Sequence, residues 1–383
     1  MEYKRLGDYI REVNVRNREL KVTKPMGINI DKHFMPSVAN VIGTDLSTYK
    51  LVSRMQFACN LMHVGRDEKI PMAMLTGDKS IIVSPAYFVF EVIESDVLLP
   101  EYLMMWFRRK EFDRNAWFYT DADVRGGMSK EALLDMRLPI PSITRQREIV
   151  AEYETLTNRI RLNNQMIQHL EATAQALYRK TFVDGIDKET LPEGWRMGKI
   201  QDFGEVVTGK TPSTLDESNF GDYLPFVTIP DMHNGFYVIK TERGLSKKGV
   251  AIQANKTVPK NSVCVSCIGT SGLVVITPKD CQTNQQINTI IPQKEYALEY
   301  IYLTCCGLEK NIAEYGMGAE VLNNLNKSEF ENLRVVVPLD VEMQKFHKQV
   351  SSVFQTIFLR QQENEILTEL QSLLLAKMGQ LKK

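Results

Sequence analysis

The residues able to do chemistry are few, and the most suggestive are GEVVTGKT, Gly204 to Thr211. They match the phosphate-binding pattern GxxxxGK[ST], in which backbone N–H groups cradle phosphates, Lys210 reaches the terminal ones and Thr211 holds magnesium. That chemistry needs a strand before the loop and a helix opening at Lys210-Thr211. Here Pro212-Ser213 leads into TLDESNFGDY, which reads as turns, so nucleotide hydrolysis is the lesser reading. Cys264 and Cys267 form a CxxC, and Cys305 and Cys306 are adjacent. A zinc site is one reading of such thiols. The other is a buried strand, VCVSCIG, in which positions three apart face opposite ways, leaving reduced packing cysteines. His33, His63, His169, His233 and His347 are scattered without ligand spacing. HExxH, GxSxG and EF-hand patterns are absent, as is the pairing of a Gly-rich cofactor loop with an Asn/Asp-Pro-Pro-aromatic tetrad. The expectation is a chain with no catalytic residue and no metal site of its own.

A second class of side chain is concentrated in glycine-punctuated turns. The first half offers Arg54, Arg66, Lys69, Ser84, Tyr87 and Arg125. The second offers Lys210, Thr211, Ser213, Thr228, Asp231, Lys247, Lys248, Thr270, Ser271, Asn284, Gln285 and Gln286. Guanidinium forks, amides and hydroxyls read base edges, while lysines hold phosphates. Ordinary solvated loops share this composition, and both readings stand at this point. With 47 basic and 47 acidic residues the net charge is zero, so nucleic acid would have to be met by local basic surfaces.

What positions these loops is a repeat. MSKEALLDMRLPIP (Met128 to Pro141) returns as LNKSEFENLRVVVP (Leu325 to Pro338), without a gap and roughly 197 residues later. Lys130 and Lys327, Leu133 and Phe330, Arg137 and Arg334, and the closing Pro141 and Pro338 share places. Smaller echoes agree: LxDY at Leu6 to Tyr9 with IxDF at Ile200 to Phe203, and PEYL (100–103) with LEYI (298–301). A chain of 383 residues is therefore built as two halves, within the length expected of about two domains.

Each copy leads into a proline-free helical segment. Ile149, Tyr153, Leu156, Ile160, Asn163, Ile167, Leu170, Ala174 and Leu177 follow steps of four and three, the 3.5-residue period of a coiled-coil seam. A helix from 142–144 to about 182 would be on the order of 60 Å long. The last helix, about 341–381, carries Phe346, Val350, Val353 and Ile357, with Arg360 in the place of Asn163, and then Leu367 within a broader apolar set. The matched pair favours two antiparallel spacers over helices packed each on its own domain. Asn163 and Arg360, polar in mid-seam, are the candidates for fixing register. The rest reads as strands and turns around an amphipathic helix from Pro100 (LPEYLMMWFRRKEF). The expected architecture is α+β with an internal pseudo-twofold repeat. Its parts are a globular domain (1–139), a central spacer helix (140–183), a second globular domain (184–338) and a terminal spacer helix (339–383). The start of the chain lacks a signal-peptide pattern and no run approaches the ~20 apolar residues of a span, so the expected compartment is the cytoplasm.

Together LPEGW (191–195), GKTPS (209–213), YLPFVTIPDM, IGTSG, TNQQIN and NKSEFENLRVVVPL before a long helix resemble the specificity subunit of Type I restriction–modification enzymes. The resemblance covers essentially the whole chain. It implies two target-recognition domains, each reading half of a split double-stranded DNA sequence, and a helix pair that sets the distance between the halves. It also implies two methyltransferase subunits on the helices, using S-adenosylmethionine, and through them restriction subunits using ATP and magnesium. This chain would bind no cofactor. There are two departures: the first half lacks a GKTPS-type opening, and the spacer glutamines, Gln146 and Gln344, are 198 apart, one out of step with the repeat.

Overall fold

The computed structural model describes residues 3–37, 43–62, 64–120, 126–233, 235–268, 270, 272–308 and 325–380, without the side chain of Arg66. The chain forms two compact units, residues 1–159 with 367–383, and residues 160–366.

The first unit opens with β1 (Tyr3–Arg5), β2 (Ile10–Glu12), β3 (Met26–Ile28), β4 (Phe34–Pro36) and β5 (Lys50–Val52). Next come β6 (Phe57–Cys59), α1 (Val64–Asp67), β7 (Met72–Met74), β8 (Ile81–Val83) and β9 (Phe88–Val92). Then follow α2 (Pro100–Phe107), α3 (Lys110–Phe118), α4 (Lys130–Asp135), β10 (Arg137–Pro139) and the long α5 (Ile143–Phe182). The central sheet has the order β2-β9-β6-β7, all antiparallel. Its core is aromatic: Phe57 stacks on Phe90 at 4.9 Å, and Phe107 meets Phe57 edge-on at 5.9 Å. The segment from Pro100 is not one amphipathic helix. Arg109, over the Trp106 ring at 4.1 Å, sits between two helices, and α2 is buried on nearly every side. LPEYLMMWF carries a single charge, so it can be enclosed all round, and a helix apolar on all faces is a core helix.

The second unit begins within α5 and runs through β11 (Arg196–Lys199), β12 (Gly204–Thr208), β13 (Phe220–Val227), α6 (Ile229–Met232) and β14 (Arg243–Leu245). It continues with α7 (Lys247–Ile252), β15 (Val263–Ser266), β16 (Val274–Ile276), β17 (Gln282–Thr283) and β18 (Ile287–Pro292). It closes with α8 (Leu298–Cys306), α9 (Lys327–Glu331), β19 (Arg334–Val337) and α10 (Asp340–Met378), whose last turns belong to the first unit. Its sheet order, β12-β18-β15-β16, repeats that of the first unit strand for strand.

The repeated sequence builds the same junction twice. Helix α4 is capped by Ser129, whose hydroxyl accepts from the Ala132 N–H at 3.1 Å, and α9 by the reciprocal Asn326–Glu329 box. The strand after each pairs antiparallel with the opening strand of its half, Arg5 opposite Arg137 and Lys199 opposite Arg334. A buried tyrosine then pins each strand: Tyr102 donates to the Pro139 carbonyl at 3.1 Å and Tyr300 to that of Val336 at 2.7 Å. Gln146 is fully buried, accepting from Leu99 N–H and donating to the Val97 and Pro141 carbonyls at 2.8–2.9 Å. One repeat later that place belongs to buried Met343, and Gln344 is exposed, which accounts for the glutamines being out of step. No helix among the described residues is long and apolar enough to cross a membrane.

Candidate nucleic-acid interface

In the second unit, three loops separated in sequence lie against one another. Gly209 N–H donates to the Ile287 carbonyl at 3.1 Å and Lys210 N–H to that of Thr283 at 2.9 Å. Thr211 reaches across to Gln285, hydroxyl to side-chain oxygen, at 2.6 Å. Asn284 donates to Gln286 at 3.0 Å, and Gln286 leans on the Ile268 carbonyl at 3.5 Å. The Asn284 N–H donates to Val227 at 3.1 Å, which brings up Thr228 and Asp231. Asp231 is buried and spends both oxygens locally: one accepts from the N–H and hydroxyl of Thr228 at 2.7 Å, the other from Glu242 N–H at 2.7 Å. It shapes a turn and is not itself presented outward. Lys210, Gln285 and Thr270 are exposed, with Gln286 half-buried. Ser271 lies outside the described residues.

Beside this cluster is a second. Asn219, buried, donates to the Ser213 carbonyl at 3.0 Å. Lys248 bridges Asp216 at 2.6 Å, and that bond, followed by Ser218, holds the Asp216 carboxyl down at about 2. Lys247 lies over the Tyr223 ring at 5.4 Å. Two buried glutamines not singled out by sequence tie the clusters together: Gln253 donates to the Lys210 carbonyl at 2.7 Å and to Gln282 at 2.8 Å. Gln253 closes the SKKGVAIQ helix and Gln282 precedes TNQQIN, so their nearness to motifs was the available signal.

The first unit does not gather its residues this way. Arg54 pairs with Asp78 at 2.8 Å, at the end of the β6–β7 pair away from the loop that holds Lys69. Ser84 and Tyr87 make the turn between β8 and β9, at the same end as Asn60, to which the Tyr87 hydroxyl is bonded. Burial raises the Tyr87 pKa. Lys69 is half-buried. Arg125 and the Arg66 side chain lie outside the described residues.

GEVVTGKT is not a phosphate loop in shape. Gly204 to Thr208 is strand β12, paired along its length with β18, and no helix opens at Lys210-Thr211. Cys264 and Cys267 enter different core clusters from opposite faces of β15 and its end, and burial pushes their thiols up to about 12 and about 11. Among the described residues no group of His, Cys, Asp or Glu could hold a metal.

The seam positions of α5 are all buried or half-buried. Ile149 and Asn163 are buried, and Leu156, Ile160, Ile167 and Leu170 half-buried. On α10, Phe346, Val350 and Ile357 are buried, and Val353, Arg360 and Leu367 half-buried. Within the second unit the two helices run antiparallel: Phe182 meets Phe346 at 5.2 Å between ring centres, and Asn163 donates to Asn364 at 2.9 Å. Asn364 in turn donates to Asn164 at 2.7 Å. Within the first, Gln371 donates to Thr157 at 2.7 Å. Arg360 bonds Glu363 of its own helix instead. Since Asn163 is 1% exposed, Asn364→Leu strands its amide and is expected to cost about 1–3 kcal/mol. The double variant Asn163→Leu/Asn364→Leu should recover most of that loss, as a double-mutant cycle in urea would read; simple additivity would argue against the pairing.

The similarities to known proteins agree with this organisation. A family model for the Type I restriction modification DNA specificity domain matches residues 192–369. The chain is 30% identical to the specificity subunit of the Type I restriction enzyme HindI from Haemophilus influenzae, over 78% of this chain and 80% of that one. Identity to the MjaIX specificity subunit of Methanocaldococcus jannaschii is 29%, over 47% and 42% of the two chains. The solved S subunit of a Type-I restriction-modification system from M. genitalium shares the fold, with a TM-score of 0.58 at 11% identity over 98% of this chain and 95% of that one. With two like-ordered sheets, each leading through the same junction into a long helix, the chain belongs to the specificity subunits of Type I restriction enzymes.

Proposed function

We propose that this chain reads a split double-stranded DNA sequence, one part through each unit, and carries two methyltransferase subunits and, through them, restriction subunits to that address. The observation that carries the reading is the duplication itself. Two sheets of the same strand order, each followed by the same capped helix, pinned strand and long helix, are two equivalent readers on one chain. The loops best built for the task are those of the second unit, where exposed Lys210 and Gln285 stand beside Thr211 on a hydrogen-bonded base. Amides and hydroxyls suit base edges and lysines suit phosphates. A chain of zero net charge leaves part of the phosphate neutralisation to its partners. The partners, in the cytoplasm, would use S-adenosylmethionine, ATP and magnesium; the contribution of this chain is recognition.

The test exchanges residues 1–139 for another recognition domain and maps methyl-adenine genome-wide in a host that also expresses the methyltransferase. One part of the methylated motif is expected to change, with the other part and the gap kept. Methylation that is unchanged, or altered in both parts, would overturn the reading.

A further inference from the structure

Helix α10 does more in the second unit than face α5. Along a second stripe it carries Phe354, Phe358 and Gln361, spaced by four and three residues and so on one face. Onto this stripe lies the segment from Gly235 to Tyr237. Phe236 packs between Tyr302 and Phe354, with ring centres 4.1 and 4.8 Å away, and Tyr237 meets Phe358 at 5.2 Å. Gln361 is 8% exposed, and its side-chain oxygen accepts from the Tyr237 N–H at 2.9 Å. Gly235, at φ 141°, passes so close that a Cβ there would overlap the Gln361 amide. A buried amide costs free energy unless it is hydrogen-bonded, so a glutamine here fixes a backbone position where an apolar residue would only fill space.

The strapped segment continues directly from a candidate reading loop. Asp231 closes the neck of that loop by joining Thr228 to Glu242, and Asn284 N–H ties the neck to the Asn284–Gln286 turn through Val227. Asp231 thus joins Thr228 to Glu242, and Gly235–Tyr237 between them is held by α10. We propose that Gln361 is a positioning residue for DNA reading by the second unit: it touches no base but sets where Thr228 and the Asn284–Gln286 turn are presented. The long helix is then part of the reading apparatus as well as its support. One repeat earlier the place of Gln361 is held by Asn164, which bonds Asn364 of the partner helix, so the device belongs to one half of the molecule. This inference rests on the DNA-reading function proposed above.

The test uses the full chain assembled with its methyltransferase subunits. Single-turnover methylation is measured on the cognate duplex and on duplexes with one base pair changed in either part of the motif, the part read by residues 184–338 being identified by the exchange of 1–139. Gln361→Leu removes the acceptor of the Tyr237 N–H and should weaken discrimination in that part about tenfold, leaving the other part unchanged. Gln361→Glu keeps an acceptor for Tyr237 N–H and should restore it. If Gln361→Leu does not assemble, Phe358→Leu, which loosens the same strap, should give a smaller loss confined to the same part. Equal loss in both parts, no loss, or no rescue by glutamate would overturn the proposal. A complex that methylates no split motif at all would instead overturn the function on which it rests.

Discussion

Gly209→Ala is expected to abolish recognition by the second unit while leaving the fold in place. A Cβ at this position would overlap the carbonyl oxygens of Thr283 and Asn284, and backbone atoms cannot step aside as a flexible side chain can. The loop must therefore lift away, breaking the bonds from Gly209 N–H to Ile287 and from Lys210 N–H to Thr283. Thr211 then loses Gln285, and the Lys210–Ser213 segment no longer shares a base with the Asn284–Gln286 turn. Each base-reading contact is worth about 1–3 kcal/mol, so displacing roughly two of them predicts a loss of about 100-fold or more in affinity for the cognate duplex. Overpacking itself costs about 1–3 kcal/mol of stability, too little to unfold a domain of ordinary stability. Gly77→Ala is the control, since a Cβ there meets nothing within 4 Å. Competition binding by the assembled complex, with cognate and scrambled duplexes, reads the result. Unchanged discrimination would mean that this loop does not face DNA.

The long helices were legible because a 3.5-residue period is carried by every turn, and every position of the series from Ile149 to Leu177 is buried or half-buried. The halves were legible because the junction is encoded locally, by caps and a strand within one short stretch. The partner of Asn163 was not. The repeat gave Arg360 the place of Asn163 on the other helix and named no partner for either; an antiparallel pairing brings together residues whose numbers run in opposite senses, and that register places Asn364, one turn on, opposite Asn163. Register is set by the whole packed face, and no single position announces it. The support of the candidate reading loops was hidden for a related reason. Gln253, Gln282 and Gln361 come from distant places and are polar, so by composition they belong outside; each is buried because it satisfies a particular carbonyl or N–H. Phe354 and Phe358 were the one available sign of the strap, two aromatic residues just off the seam that a simple two-helix spacer has no use for.

Phe346→Ala is expected to be the most destabilising single change in the second unit. The ring is 1% exposed and sits where both long helices meet the globular core: 5.2 Å from Phe182, edge-on, and 6.3 Å from Tyr178, with Phe182 in turn 4.9 Å from Tyr300. Tyr300 pins β19 through the Val336 carbonyl, and Tyr178 shares a hydrogen bond with Thr304 of α8 at 3.0 Å. Removing the ring therefore opens a void beside Phe182 and Tyr178, the latter held by its hydrogen bond to Thr304, and a site that cannot collapse pays the full cavity cost, about 3–5 kcal/mol for Phe→Ala. Phe346→Leu keeps most of the volume and should lose about 1.5 kcal/mol or less. Against a total of about 5–15 kcal/mol the alanine variant would populate open forms by several orders of magnitude more than the native chain. Hydrogen exchange separates the units: amides of β15 and β18 should lose protection sharply, and those of β6 and β9, in a sheet with its own aromatic core, should change little. Equal loss in both sheets would show that the two cores unfold as one, and the exchange of recognition domains proposed above would then have to carry part of α5 with it to leave a stable chain.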